Sequence, residues 1–255
     1  MRDTMKCYIT NAQLRKVYDF AKKMDNVGYL RPIREGGTEN RNRLAILKNN
    51  VEGKIAEFGV LNWLNYELIN KYHNISCSLP TDWVGDKNSF DSGYDLYLTK
   101  DDIEIPLEVK SSSLKAKSLM LEEERWKLNN DFEVINSDHK EKKAPFAFIS
   151  VNVDMKWIEK NMLDGWRIKD NFIIEGYPQM FINGVLESET LKKCIKEKLN
   201  FFKKNEVIPT SQSTRLDAPN YIFPVYSNKL DGLIKMHMPE YGLNIIYSAL
   251  TKKGL

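Results

Sequence analysis

The chain has 255 residues, 42% hydrophobic and 29% charged, an ordinary globular balance that excludes intrinsic disorder as the starting expectation. A core of this size closes without metal or disulfide staples, and one large domain, or one domain with an appendage, is expected. The net charge of +3 permits a nucleic-acid partner without demanding one, and the three scattered cysteines, Cys7, Cys77 and Cys194, give no disulfide framework or zinc knuckle, which fits a reducing cytoplasm.

No apolar run follows Met1, so no signal peptide is read, and no stretch is long enough to span a bilayer. Asn11 to Met24 is predicted as an amphipathic helix with Leu14, Val17, Tyr18 and Ala21 on one stripe and Thr10 or Asn11 as its cap. Gly28 to Gly37 is a connector. Helical pattern resumes near Thr38 and runs to about Lys71, with a break expected at Gly53 and an apolar face of Ile55, Phe58, Leu61, Trp63 and Leu64. Ile75 to Leu79 is a short strand and residues 82–93 are turn-rich. Tyr94 to Leu98 and Ile103 to Ser111 are two strands joined by a turn at Thr99 to Asp102, which makes a β-hairpin. Ser118 is expected to cap a helix from Leu119 to Asn129, with Glu122, Glu123 and Glu124 in its early turns. An apolar strand (Ala144 to Val153), a short helix (Met155 to Met162), a broken strand (Trp166 to Ile182) and a Lys-rich helix (Ser188 to Lys203) follow. A loop-rich tail from Glu206 closes with a helix near Leu243 to Leu250. This order predicts a mixed α/β domain with an N-terminal helical portion.

The chemistry gathers between Gly93 and Ser113. Glu108 and Lys110 stand two apart on a strand and share a face, while Leu107 and Val109 turn to the other face and into the core. Across the hairpin, Asp95 comes near the same pair. Two carboxylates bind a hard cation such as magnesium, the backbone carbonyl of Val109 offers a further ligand, and Lys110 either stabilises charge on a phosphate or orients and deprotonates a water. Asp86 and Asp91, in the preceding loop, are the alternatives to Asp95 should the strand start elsewhere. Two other Glu-x-Lys copies lack this context: Glu52-Gly53-Lys54 lies in a helical stretch and Glu141-Lys142-Lys143 in a charge run.

Asp95 followed by Glu108-Val109-Lys110 resembles the PD-(D/E)XK nuclease superfamily, which includes most type II restriction endonucleases. Tyr94 stands where the family name has proline. The resemblance covers roughly Gly53 to Val153. It implies a restriction-endonuclease-like mixed sheet flanked by helices, with the nuclease core over residues 51–205. Residues 1–50 would form a helical segment for DNA contact and 206–255 a C-terminal extension. It implies Glu57 as an acidic residue supporting the site from the preceding helix, Mg2+ as cofactor with Mn2+ able to substitute, double-stranded DNA as substrate, and a homodimer. A repair or junction-resolving nuclease of the same fold, and an inactive DNA-binding relative, are the alternatives.

Arg31, Arg34, Arg41 and Arg43, set among Asn40 and Asn42, are candidate DNA contacts, as are Ser112, Lys115 and Lys117 after the catalytic strand. The Lys-rich helix reads as a solvated face, and Trp63, Trp126, Trp157 and Trp166 as core. Isolated His73, His139 and His237 speak against a His-based nuclease or zinc hydrolase, and the lack of a phosphate-binding Gly-x-x-x-x-Gly-Lys loop speaks against a nucleotide cofactor.

Overall fold

The computed structural model describes residues 4–27, 43–69, 71–72, 74–80, 94–101, 103–137, 142–165, 167–211, 214–226 and 230–252. In chain order they form β1 (Met5–Cys7), α1 (Asn11–Val27), α2 (Arg43–Ile69), β2 (Ile75–Ser78), β3 (Leu96–Lys100), β4 (Ile103–Ser113), β5 (Ser118–Glu122), β6 (Trp126–Leu128), β7 (Val134–Asn136) and β8 (Lys142–Lys143). There follow β9 (Ala147–Val153), α3 (Met155–Met162), β10 (Leu163–Asp164), β11 (Arg167–Ile168), β12 (Met180–Glu187), α4 (Ser188–Glu197), β13 (Phe201–Phe202), β14 (Asn220–Pro224) and α5 (Pro239–Lys252).

A six-stranded mixed sheet in the order β1-β12-β9-β4-β3-β2 organises the chain. Strands β4 and β9 run parallel, and the other neighbours in this sheet are antiparallel. The predicted hairpin is β3–β4, closed by a two-residue connection between Lys100 and Ile103 in which Asp101 takes a left-handed φ of 51°. No helix among the described residues is long and apolar enough to cross a membrane.

Both faces of the sheet are covered. On one, Ile105, Leu107, Val109, Ile149 and Val151 pack with Val51, Ile55 and Leu64 of α2. That helix lies deep: between Val51 and Leu68 only Tyr66 is exposed. An α-helix apolar on nearly every side is stable only as a core element, and this burial carries α2 through Gly53 without the expected break. At Gly59 a Cβ would meet Cys7 Sγ at 3.1 Å and Met180 Sδ at 3.2 Å, so the missing side chain lets α2 approach β1 and β12. On the other face, Phe148 and Leu186 join Leu121, Trp126, Leu191, Tyr221 and Phe223 in a second cluster.

Thr10 caps α1 as expected: its hydroxyl accepts the Gln13 N–H at 3.2 Å, and Gln13 Oε1 accepts the Thr10 N–H at 2.9 Å. The predicted helix over Leu119 to Asn129 is corrected. That segment is β5, a turn closed by Arg125 N–H on the Glu122 carbonyl (3.2 Å), and β6. Leu119 and Leu121 are buried while Met120 between them is exposed, the period of a strand, and the segment pairs with β14 in the register Leu119↔Phe223 and Leu121↔Tyr221. This pairing across the chain overrides the local acidic signal. The loop-rich tail correspondingly contains β14, buried at all five positions, with Pro224 at its end where a missing N–H is tolerated. Helix α4 stops at Glu197, shorter than expected, because Lys198 (φ 53°) and Asn200 (φ 55°) turn left-handed and lead into β13.

Candidate active site

The ladder between β3 and β4 ends at the pair Leu96↔Leu107. Beyond it β4 continues to Ser113 with β9 as its strand partner. Asp95 stands at this fork, one residue before β3 begins. Its N–H donates to the Leu107 carbonyl at 3.1 Å, and its Oδ2 accepts the Val109 N–H at 2.7 Å. The carboxylate thus takes the place of the next main-chain acceptor along the edge of β4. A strand residue turns its N–H and carbonyl to the same neighbour, so the Val109 carbonyl faces this side too.

Glu108 and Lys110 share the opposite face of β4 from Val109, and Lys110 Nζ donates to Glu108 Oε1 at 2.6 Å. Glu108 is 5% exposed, whereas a quarter of the Lys110 side chain reaches solvent. The parallel register lays Phe148 beside Glu108, Ser150 beside Lys110 and Asn152 beside Ser112. Phe148 packs edge-on against Trp126, ring centroids 4.8 Å apart, which backs Glu108 with apolar surface.

Glu57, on α2, also acts on Asp95 through its charge. It is 5% exposed, and both its oxygens accept from Lys54 Nζ at 2.9 Å. The carboxyl of Asp95 is held well above the usual carboxylate range, first by burial, then by the negative charges of Glu108 and Glu57; Lys110 and Lys54 pull it the other way. Four charged groups therefore act on Asp95.

The described hydrogen bonds use one oxygen of each sheet carboxylate, Asp95 Oδ2 and Glu108 Oε1. With the Val109 carbonyl, the donor set is hard oxygen, which suits a small divalent cation that keeps several waters. Among the described residues no group of three His, Cys, Asp or Glu side chains is arranged to hold a metal, so the fit rests on two carboxylates and a backbone carbonyl.

The remaining sequence candidates are placed unevenly. Arg31, Arg34, Arg41, Asp86 and Asp91 lie outside the described residues, and Arg43 opens α2 with its side chain outside them. Lys115 and Lys117 are exposed on the connection from β4 to β5. The Ser112 hydroxyl donates to Asn152 Oδ1 at 2.8 Å. His237 pairs with Glu187 at 3.5 Å, away from the centre.

Two features escaped the sequence reading. Lys54 belongs to a Glu-x-Lys copy set aside for its helical context, yet it stands at the centre; its spacing of three from Glu57 was the available signal. Glu52, about 200° round the helix from Lys54, is instead buried with Oε1 unpartnered, and burial pushes its carboxyl up to about 7. The second feature is a buried polar row: Asn183 Nδ2 donates to Asn152 Oδ1 at 2.5 Å, and Asn152 Nδ2 donates to the Leu114 and Ala116 carbonyls at 3.3 and 3.0 Å. Comparisons with protein-family models, with curated proteins and with solved structures return no match.

Proposed function

We propose that this protein is a metal-dependent endodeoxyribonuclease of the PD-(D/E)XK kind, hydrolysing phosphodiester bonds in double-stranded DNA, and that it acts as a sequence-specific type II restriction enzyme. The observation that carries the reading is the fork: Asp95 bonded to the edge of β4 at Val109, beside the Glu108–Lys110 ion pair, with Glu57 pressing on the same carboxyl. Crowded carboxylates repel one another, and a divalent cation relieves that repulsion. The meander β2–β3–β4 behind α2, continued by a parallel β9, supports a restriction-endonuclease-like fold.

Asp95, Glu108 and the Val109 carbonyl would hold Mg2+, with Mn2+ able to take its place. Such an ion would supply Lewis acidity at the phosphate and would lower the proton affinity of the attacking water. Glu108 orients Lys110 through their 2.6 Å bond, and the Lys110 ammonium donates to the phosphate oxygens as negative charge builds on them. Hydrolysis joins the water oxygen to phosphorus and breaks one P–O ester bond, and the departing alkoxide takes up a proton. Cutting both strands uses two such centres, hence the proposed homodimer.

Purified protein with Mg2+ is expected to nick or linearise plasmid DNA, and Lys110→Ala to abolish cutting while retaining DNA binding. Discrete fragments from long linear DNA identify restriction; cutting confined to branched DNA identifies junction resolution instead. Absence of cleavage of supercoiled, linear and branched DNA with Mg2+ and Mn2+ would overturn the enzymatic reading and leave a DNA-binding relative.

A further inference from the structure

We infer that Lys54 is a positioning residue that keeps Glu57 out of the metal's coordination shell, so that each centre holds one divalent cation rather than two. The inference rests on the nuclease reading and concerns the metal content of that same site.

The charges of Glu108 and Glu57 both act on Asp95, and each glutamate comes with its own lysine. Lys110 takes one oxygen of Glu108, at 2.6 Å. Lys54 takes both oxygens of Glu57, at 2.9 Å each, from one helical turn away. This second pair is well shielded, with side-chain exposures of 20% and 7%, and the Lys54 ammonium also sits 5.5 Å from the centre of the Phe20 ring. An ammonium in such a setting is expensive to displace, because the carboxylate left behind would lose its partner in a poorly solvated site. A second cation would have to draw on Glu57, and that carboxylate is closed.

Charge points the same way. Asp95, Glu108 and Glu57 carry three negative charges and Lys54 and Lys110 two positive ones, a net of −1 when all are ionised. One divalent ion brings the centre to +1, and one phosphodiester, itself singly negative, brings it to zero. A second divalent ion would leave +2 uncompensated. Two-metal nucleases place their ions about 4 Å apart and need carboxylates to absorb that charge; here the third carboxylate, Glu57, is already paired with Lys54.

Manganese titration followed by electron paramagnetic resonance reads the count directly, in the absence of DNA. The whole chain is expected to bind one Mn2+, and Glu57→Gln still to bind one Mn2+, more weakly because one negative charge is gone. Glu108→Gln is expected to lose the ion. Lys54→Met, checked for native circular dichroism, is expected to bind a second Mn2+ whose signal is coupled to the first. Two ions in the native chain, one of them lost in Glu57→Gln, would overturn the inference and leave the nuclease reading standing. A folded Lys54→Met that binds a single ion would overturn it as well. No Mn2+ bound to the native chain would remove both readings. Should Lys54→Met fail to fold, the counts for the native chain and Glu57→Gln decide.

Discussion

Strands β4 and β9 lie side by side in parallel, and they divide the work of the site between them. Every residue of β9 is buried: its apolar side chains meet both cores, and its polar residues Ser150 and Asn152 sit 1% and 6% exposed in the sheet's interior. β9 is flanked throughout by β4 and β12. β4 is paired with β3 only as far as Leu107 and with β9 only from Leu107 on, so it has a strand on both sides at that one residue. From there its face carries Glu108, Lys110 and Ser112, and the carboxylate of Asp95 stands in for the lost strand. Charge appears where a strand loses a neighbour, and a sealed strand beside it fixes the geometry. Reacting groups must be held to within about half an ångström, and rigid elements do that better than loops.

Two substitutions separate these contributions. The largest expected effect is on chemistry: Lys110→Ala should lower plasmid cleavage on the order of a thousandfold, as removal of one transition-state donor does, while unfolding by urea shifts far less. Phe148→Ala, one strand over, should do the reverse. It empties a fully buried ring from the Trp126 contact and costs about 3–5 kcal/mol of stability, while protein that remains folded cuts within a few-fold of the native rate. If Phe148→Ala depressed cleavage as deeply as Lys110→Ala under conditions where both are folded, the division between the strands would be wrong.

The hairpin and the charges at its end were legible because their signals are local. Alternation in Ile103 to Ser111, the turn at Thr99 to Asp102, and the same-face spacing of Glu108 and Lys110 all lie within one short segment. Helices α1 and α3 were legible for the same reason, including the Thr10 cap. What was not legible depends on partners far along the chain. β5 reads as a helix until β14, a hundred residues later, pairs with it. Asn152 reads as one polar residue in an apolar run, and only the parallel register sets it against Ser112. Lys54 reads as part of a Glu-x-Lys triplet in a helical stretch; the helix turns it about 200° from Glu52, and its pairing with Glu57 is what brings it to the centre.

Those two glutamates extend the comparison to a single helix. Glu57 has Lys54, but Glu52 has a buried oxygen without a partner, and its carboxyl is raised from 4.5 to about 7. The folded chain therefore holds a proton that the unfolded chain releases between those values. Stability from this group is complete below pH 4.5 and is lost as pH rises towards and through 7. The shift corresponds to about 3 kcal/mol. Urea titrations at pH 5 and pH 8 should show the native chain losing about that much more than Glu52→Gln, which cannot ionise. Equal losses in the two proteins would mean that Glu52 is solvated or paired.

The smallest expected effect tests where DNA lies on the fork. Lys115 and Lys117 leave the end of β4 in a connection whose carbonyls, at Leu114 and Ala116, are held by Asn152 Nδ2. Asn152 is itself fixed by Ser112 from β4 and Asn183 from β12, so both lysines issue from a frame tied to three strands of the central sheet. A phosphate contact contributes to affinity mainly by releasing a counterion, and each one lost flattens the dependence of log Kd on log salt by about one. Lys115→Ala with Lys117→Ala should therefore lower that slope by about two and weaken binding alike on all sequences. Lys143, exposed on β8 and already paired with Glu133 at 2.8 Å, is the control, and Lys143→Ala should leave the slope where it was. A slope that falls with Lys143 and not with the first pair would place the DNA backbone along the small β6–β7–β8 sheet, and the polar row through Asn152 would then serve the sheet's own cohesion alone.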